Sequence, residues 1–343
     1  MHATRGRHGG LGLALLSACA FGGSGVAAKP LIEAGFDPLQ VVWMRVAGAA
    51  LILLPVAARH RRLPRARPGL LLGFGALAVA GCQGLYFVAI SRIPVGVAIL
   101  VEYLGPALLL GWVRFVQRRP VSRAAVIGVV LAVTGMACVV EVWGGLAFDP
   151  LGLLCAFGAA CCQVAYFVLA DQGTGHEDAP DPLAVVAYGL LVGAALLTVF
   201  ARPWDIPFAA LAHRAALGDR QVPSVLLLAW IVLVATVVAY LSGVIAVRRL
   251  SPQIAGVVAC TEAVVGTVLA WFLLDEHLGA AQLVGGALVL AGAFAAQTTA
   301  KPAGSPPHGE LPAAGAAKAG AAGAFGAAGA ENRGSRPAVR SDG

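Results

Sequence analysis

Charge is what this sequence lacks most. Only 12% of its 343 residues are Asp, Glu, Lys or Arg, against roughly 25% in an average soluble domain. So few charges cannot clothe a water-facing surface on a chain that is 59% hydrophobic with mean hydropathy +0.83. The composition excludes a soluble globular domain and requires a bilayer as solvent. No Gly-x-x-x-x-Gly-Lys run is present to cradle nucleotide phosphates, so ATP does not drive this chain directly. No histidine-based metal motif occurs, and no cofactor is expected. The seven cysteines (Cys19, Cys82, Cys138, Cys155, Cys161, Cys162 and Cys260) lie inside apolar runs without zinc-ligand spacing, and read as small packing residues. A net charge of +7 does not indicate nucleic acid, because the arginines cluster in short connections between apolar runs.

What is present is a series of ten apolar runs, over residues 9–29, 38–57, 69–91, 94–115, 121–143, 150–170, 182–201, 223–246, 252–274 and 279–299. Each is about 20 residues long, enough for a helix to cross roughly 30 Å of hydrocarbon. Helix is required because lipid offers no partners for backbone N–H and C=O groups. Arg5 and Arg7 before Leu11–Ala20, with Ala27-Ala28 beyond, resemble a cleavable leader, but the run is read as the first span because the repeat described below needs it. Asp37-Pro38-Leu39 and Asp181-Pro182-Leu183 open two spans with a capping carboxylate and a proline at the first helical position. With the N-terminus inside, 18 Lys and Arg residues fall on the inner side and 5 on the outer. That bias places both termini in the cytoplasm of an inner-membrane protein. Residues 1–8 are then a cytoplasmic N-terminus. Residues 300–343, rich in Ala, Gly and Pro, lack the side chains for a core and read as a disordered cytoplasmic tail. The oligomeric state is not legible, and a homodimer is left open.

The two halves repeat at an offset of 157 residues. Arg92 meets Arg249, Gly128 meets Gly285 and Gly135 meets Gly292. Residues 9–143 and 150–299 therefore form two five-helix units. Five is odd, so the second enters the membrane upside down. Arg118-Arg119 after span 4 and Asp275-Glu276 after span 9 carry the opposite signs expected of opposite faces. The fold class is all-α polytopic, with ten transmembrane helices in two inverted five-helix repeats. Such repeats mark secondary transporters, and the partner expected is a small-molecule solute. Gly69 and Gly73, and Gly128 and Gly135, are expected to let helices approach closely.

Three ionisable residues lie deep within spans: Arg45, Glu102 and Glu262. At about 1.5 Å per residue, they stand roughly 10, 12 and 15 Å into the membrane. Buried charges are costly there and usually functional. An Arg45–Glu102 ion pair is sterically allowed. One reading gives the carboxylates a proton-carrying role and Arg45 a substrate carboxylate. The other makes them a fixed ion pair that orders the bundle. Pro106 cannot bond the Glu102 carbonyl four residues back, so span 4 should kink beside that carboxylate. Cys82-Gln83-x-x-Tyr86-Phe87-Val88 recurs as Cys162-Gln163-x-x-Tyr166-Phe167-Val168, in spans that are not repeat mates. Gln83, Tyr86, Gln163 and Tyr166 are thus candidate cavity or gate residues, with interfacial anchoring the alternative for the tyrosines.

On these residues the chain resembles the drug/metabolite transporter superfamily, specifically ten-helix carriers with two EamA-type domains, over residues 9–299. Ile93-Pro94-Val95-Gly96-Val97-Ala98, Glu102, Gly105-Pro106 and Arg118-Arg119-Pro120-Val121 look closest to the threonine/homoserine exporter branch. Glu262-Ala263 stands where such carriers often have Glu-Pro, removing the proline that would kink span 9, and Asp275-Glu276 replaces the usual Gly-Glu. The resemblance implies proton-driven efflux of small amino acids or related metabolites. Two alternatives stand beside it. One is a broad drug or nucleotide-sugar carrier of the same fold. The other is a membrane-embedded lipid-modifying enzyme, for which His60, His176, His213 and His277 are isolated in loops without partners; no catalytic residue is assigned.

Overall fold

The computed structural model describes residues 2–116, 118, 122–141, 148–173, 180–250, 258 and 260–298. The tail from residue 300 and the first part of span 9 lie outside them. The helices are α1 (His2–Glu33), α2 (Pro38–Ile52), α3 (Pro68–Ile90), α4 (Val95–Val116) and α5 (Arg123–Val140) in the first half. The second half has α6 (Pro150–Gly173), α7 (Pro182–Ala201), α8 (Ser224–Ala246), α9 (Thr261–Leu274) and α10 (Ala280–Thr298). The ten spans read from the sequence thus appear as ten apolar helical segments. The N-terminal residues expected outside the first span continue its helix from His2. Between α2 and α3 the chain makes two short helical turns, Leu54–Arg59 and Leu63–Ala66, which display Arg59, Arg61, Arg62 and Arg65 on the surface. We call this the arginine end of the bundle.

Helix starts follow from local chemistry. Asp37 Oδ1 accepts the Leu39 N–H at 2.8 Å, and Asp181 Oδ1 accepts that of Leu183 at 2.8 Å. Each carboxylate satisfies a backbone donor that the first helical turn leaves open. Asp149 caps α6 by accepting from Leu151 at 2.7 Å and Gly152 at 3.0 Å, and it pairs with Arg92 at 3.1 Å. These donors, the Gly152 N–H foremost, hold the Asp149 carboxyl below its ordinary value.

The packing is that of an inverted repeat. Exchanging α1 with α6, α2 with α7, α3 with α8, α4 with α9 and α5 with α10 maps the main helix contacts onto one another. The α1–α8 contact becomes α6–α3, α1–α9 becomes α6–α4, and α2–α8 becomes α7–α3. The α2–α7, α4–α9 and α5–α10 contacts map onto themselves and so straddle the local twofold axis. The α5–α10 pair shows it at atomic scale. A Cβ on Gly135 would lie 2.6 Å from the Gly285 carbonyl oxygen, and one on Gly292 would lie 2.5 Å from that of Gly128. The repeat carries Gly128 to Gly285 and Gly135 to Gly292, so these two contacts exchange under the twofold. The close approach expected at Gly128 and Gly135 is therefore present. At Gly69 it is not, because nothing lies within 4 Å of its missing side chain.

One element went unforeseen. The connection between α7 and α8 folds into an antiparallel hairpin, β1 (Arg214–Leu217) with β2 (Arg220–Pro223). Leu217 pairs with Arg220, leaving Gly218 and Asp219 as the turn, and Gly218 at φ +57° supplies the first central position of a type II′ turn. The hairpin lies over α1 and against the Leu273 carbonyl at the end of α9. It marks the hairpin end of the bundle, opposite the arginine end.

Because the α5–α10 neighbours at the glycines are backbone atoms, they cannot rotate aside. Gly285→Val should cost about 1–3 kcal/mol in thermal unfolding of the detergent-solubilised protein. Gly111→Ala, with nothing within 4 Å, should be neutral.

Candidate functional site

Arg45, on α2, is 2% exposed. Its Nε donates to Thr236 Oγ1 at 2.7 Å, and Nη1 donates to Ser24 Oγ at 2.7 Å and Gln83 Oε1 at 3.0 Å. Nη2 donates to the Ala235 carbonyl at 3.1 Å, and the guanidinium carbon stands 5.6 Å from the centre of the Phe87 ring. Four of the five N–H groups of a guanidinium are thereby taken. The allowed Arg45–Glu102 ion pair is not made; hydroxyl, amide and carbonyl oxygens from α1, α3 and α8 occupy the donors instead. The charge therefore has no ion-pair partner among the described residues.

A widened backbone makes one of these contacts. Residues Trp230–Val238 of α8 form a π-helical segment, and so do Phe74–Gly81 at the repeat-mate position in α3. The wider turn displaces carbonyls from their usual partners. Thr236 Oγ1 donates to the Ile231 carbonyl five residues back at 2.8 Å, while the Ala235 carbonyl turns to Arg45.

The two carboxylates lie on α4 and α9, which pack together. Helix α4 is interrupted at Tyr103 and Leu104, between the segments Val95–Glu102 and Gly105–Gly111, and Pro106 stands in the first turn of the second. The proline kink read from the sequence is this interruption, and Glu102 ends the first segment, 1% exposed. Cys82 Sγ donates to Glu102 Oε1 at 3.4 Å. Tyr103 Oη donates to Glu262 Oε2 at 3.4 Å. Glu262, 2% exposed, sits in the first turn of α9, directly after a turn at Cys260. The 157-residue offset carries Tyr103 to Cys260, so the turn that precedes α9 mates with the interruption of α4. Gly22 of α1 makes room beside Glu262: a Cβ there would lie 2.8 Å from the Glu262 carbonyl.

The recurring motif divides between two tasks. Helices α3 and α6 pack together, with Cys162 against Gly81. Gln83 reaches Arg45, whereas Gln163 is half-buried with its Oε1 3.1 Å from where a Cβ on Gly105 would be, at the break of α4. Tyr86 is 2% exposed, packed inside the bundle rather than on its outer surface, and its hydroxyl rests on Gly25 of α1. The Tyr166 side chain lies outside the described residues. Ser24, Thr236, Tyr103 and Phe87 belong to the cluster and were not singled out from the sequence. Tyr103, between Glu102 and the Gly105-Pro106 break, carried the most readable signal. A separate crevice of about 520 Å³ opens between α4, α5 and α6, lined by Leu104, Leu108, Val129, Met136 and Phe157 among others. Its apolar lining gives it nothing with which to hold a charged solute.

Comparison with known proteins fits this geometry. The EamA-like transporter family matches the chain twice, over residues 8–141 and 150–297. The threonine/homoserine exporter RhtA of Escherichia coli K12 is 28% identical over 245 residues, covering 71% of this chain and 74% of that protein. RhtA of Salmonella typhimurium LT2 is 28% identical over 243 residues, covering 71% and 73%. A solved crystal structure with 20% identity matches with a TM-score of 0.54 over 85% of this chain and 97% of its own, a likeness of fold.

Thr236 accepts from a buried cation, so its loss leaves a charged donor unanswered. Thr236→Val should lower stability by about 1.5–3 kcal/mol, read as a drop in the thermal unfolding midpoint.

Proposed function

The chain belongs to the EamA-like transporter family, and from that premise we propose that it is an inner-membrane, proton-coupled exporter of small amino acids. Membership of the family makes it a membrane transporter rather than an enzyme. The amino-acid substrate rests on the site and on the similarity to threonine/homoserine exporters.

One observation carries the reading. A buried guanidinium without an ion-pair partner among the described residues shares the bundle interior with two buried carboxylates, Gln83 reaching Arg45 and its neighbour Cys82 reaching Glu102. A zwitterion supplies the complementary pair: its carboxylate answers Arg45 and its ammonium answers an acid. In this reading Gln83, Ser24 and Thr236 hold the guanidinium plane in place. Glu262 stands in the first turn of a helix, where the backbone dipole favours negative charge, and it receives the ammonium. Glu102 ends a helical segment among carbonyl oxygens, and it takes and releases the proton. Pro106 keeps the break open, and Gln163 faces it. Tyr86 and, at the equivalent position of its motif, Tyr166 serve as gate residues. The arginine end faces the cytoplasm, in keeping with the distribution of Lys and Arg.

Proteoliposomes supplied with external radiolabelled threonine test these roles. Glu102→Gln should abolish uptake driven by a pH gradient while preserving threonine–threonine counterflow. Glu262→Gln should lose both, and Arg45→Lys should raise KM about tenfold or more, the loss of a hydrogen bond to a charged group. Full pH-driven transport in both glutamine variants would remove the carboxylate mechanism.

A further inference from the structure

The hairpin end of the bundle is sealed by one carboxylate. Glu276, just beyond α9, pairs with Lys29 near the end of α1, Oε1 to Nζ at 2.8 Å. The same Oε1 accepts the Val95 N–H at 3.0 Å, and Oε2 accepts that of Gly96 at 3.3 Å. These are donors that the first turn of α4 leaves open. The Lys29 and Glu276 side chains are only 18% and 10% exposed. One side chain therefore ties together α1 and α4, from the first repeat, and α9, from the second.

The backbone aims it there. Asp275 adopts φ +56°, a left-handed conformation that favours glycine and that Asp tolerates better than most residues. The turn returns the Glu276 N–H to the Ala270 carbonyl at 3.3 Å and throws the carboxylate back across the bundle. Beneath the pair, Tyr86 and Val95 both close on Gly25. Above it, the hairpin rests on the end of α9. Tyr86, Val95 and the Lys29–Glu276 pair therefore all pack on α1 at this end.

We propose that Lys29 and Glu276 are positioning residues of the transport cycle: their ion pair, with the two backbone bonds, holds the hairpin end shut, and opening the site to that face requires Glu276 to leave Lys29, Val95 and Gly96 together. The proposal rests on the carrier reading above. It assigns the described conformation as the one closed at the hairpin end. The mated loop after α4 carries Arg118-Arg119 where this one carries Asp275-Glu276, so the device belongs to one face only.

Accessibility of a residue below the stopper tests the proposal without any solute. Cys82 is buried beside the site, and replacing the other six cysteines by Ala leaves it as the sole thiol. A membrane-impermeant methanethiosulfonate is applied separately to each face, using right-side-out and inside-out vesicles. Lys29→Gln and Glu276→Gln should each speed labelling of Cys82 from the hairpin face about threefold or more, a shift of population toward the open state. Labelling from the arginine face should not rise. The double variant should match Glu276→Gln rather than exceed it. Lys29→Gln leaves the backbone bonds of Glu276 intact and so guards against simple misfolding of the helix α4 terminus. Unchanged labelling in both single variants, or an equal rise from both faces, overturns the latch. Absence of threonine counterflow in every variant would instead count against the amino-acid reading and leave the labelling result standing.

Discussion

A positive charge buried in an oil-soluble bundle must be answered by oxygen atoms, and much of this structure is arranged around that requirement. Arg45 cannot leave α2, so α1 brings Ser24, α3 brings Gln83 and α8 brings Thr236. The fourth acceptor is a main-chain carbonyl, which a regular α-helix would keep for itself. The π-helical stretch of α8 releases it. A local departure from regular helix is thus coupled to a single side chain on another helix, and both lie where α2 and α8 meet.

The same logic governs the two acids. A carboxylate inside a membrane protein is tolerated where the backbone is also irregular, since exposed N–H and C=O groups and a polar side chain can share one small wet or protein-lined space. Glu102 stands at the interruption of α4 and Glu262 in the first turn of α9, and the Tyr103 hydroxyl ties that interruption to Glu262.

The architecture was largely legible because it follows from hydropathy, charge sidedness and a duplicated pattern of glycines. Gly128, Gly135, Gly285 and Gly292 announced a backbone-to-backbone contact that the structure contains. Gly69 did not, because a glycine near a helix start has several uses and sequence does not distinguish them. The site was legible in its charges and not in its contacts. Arg45 was identifiable as an intramembrane cation, but Ser24 and Thr236 are unremarkable residues whose importance comes from which helix faces which. The ion pair with Glu102 was sterically open and lost to nearer hydroxyls. The hairpin between α7 and α8 was missed because Arg214–Pro223 lacks the apolar alternation of a buried strand and is ordered by what lies beneath it.

The Asp-Pro-Leu openings of α2 and α7 place Gly189 opposite Arg45 under the twofold, and the ring of Phe74 lies where a side chain on Gly189 would be. The position that mates with the cation holds no side chain, and an aromatic ring from α3 fills the space. Two identical five-helix chains assembling around the same axis could not do this: each would carry its own guanidinium to the centre, and the pair would repel. Joining both copies in one polypeptide frees the halves to diverge, so that a guanidinium on α2 is matched by a bare glycine on α7, covered by an aromatic ring.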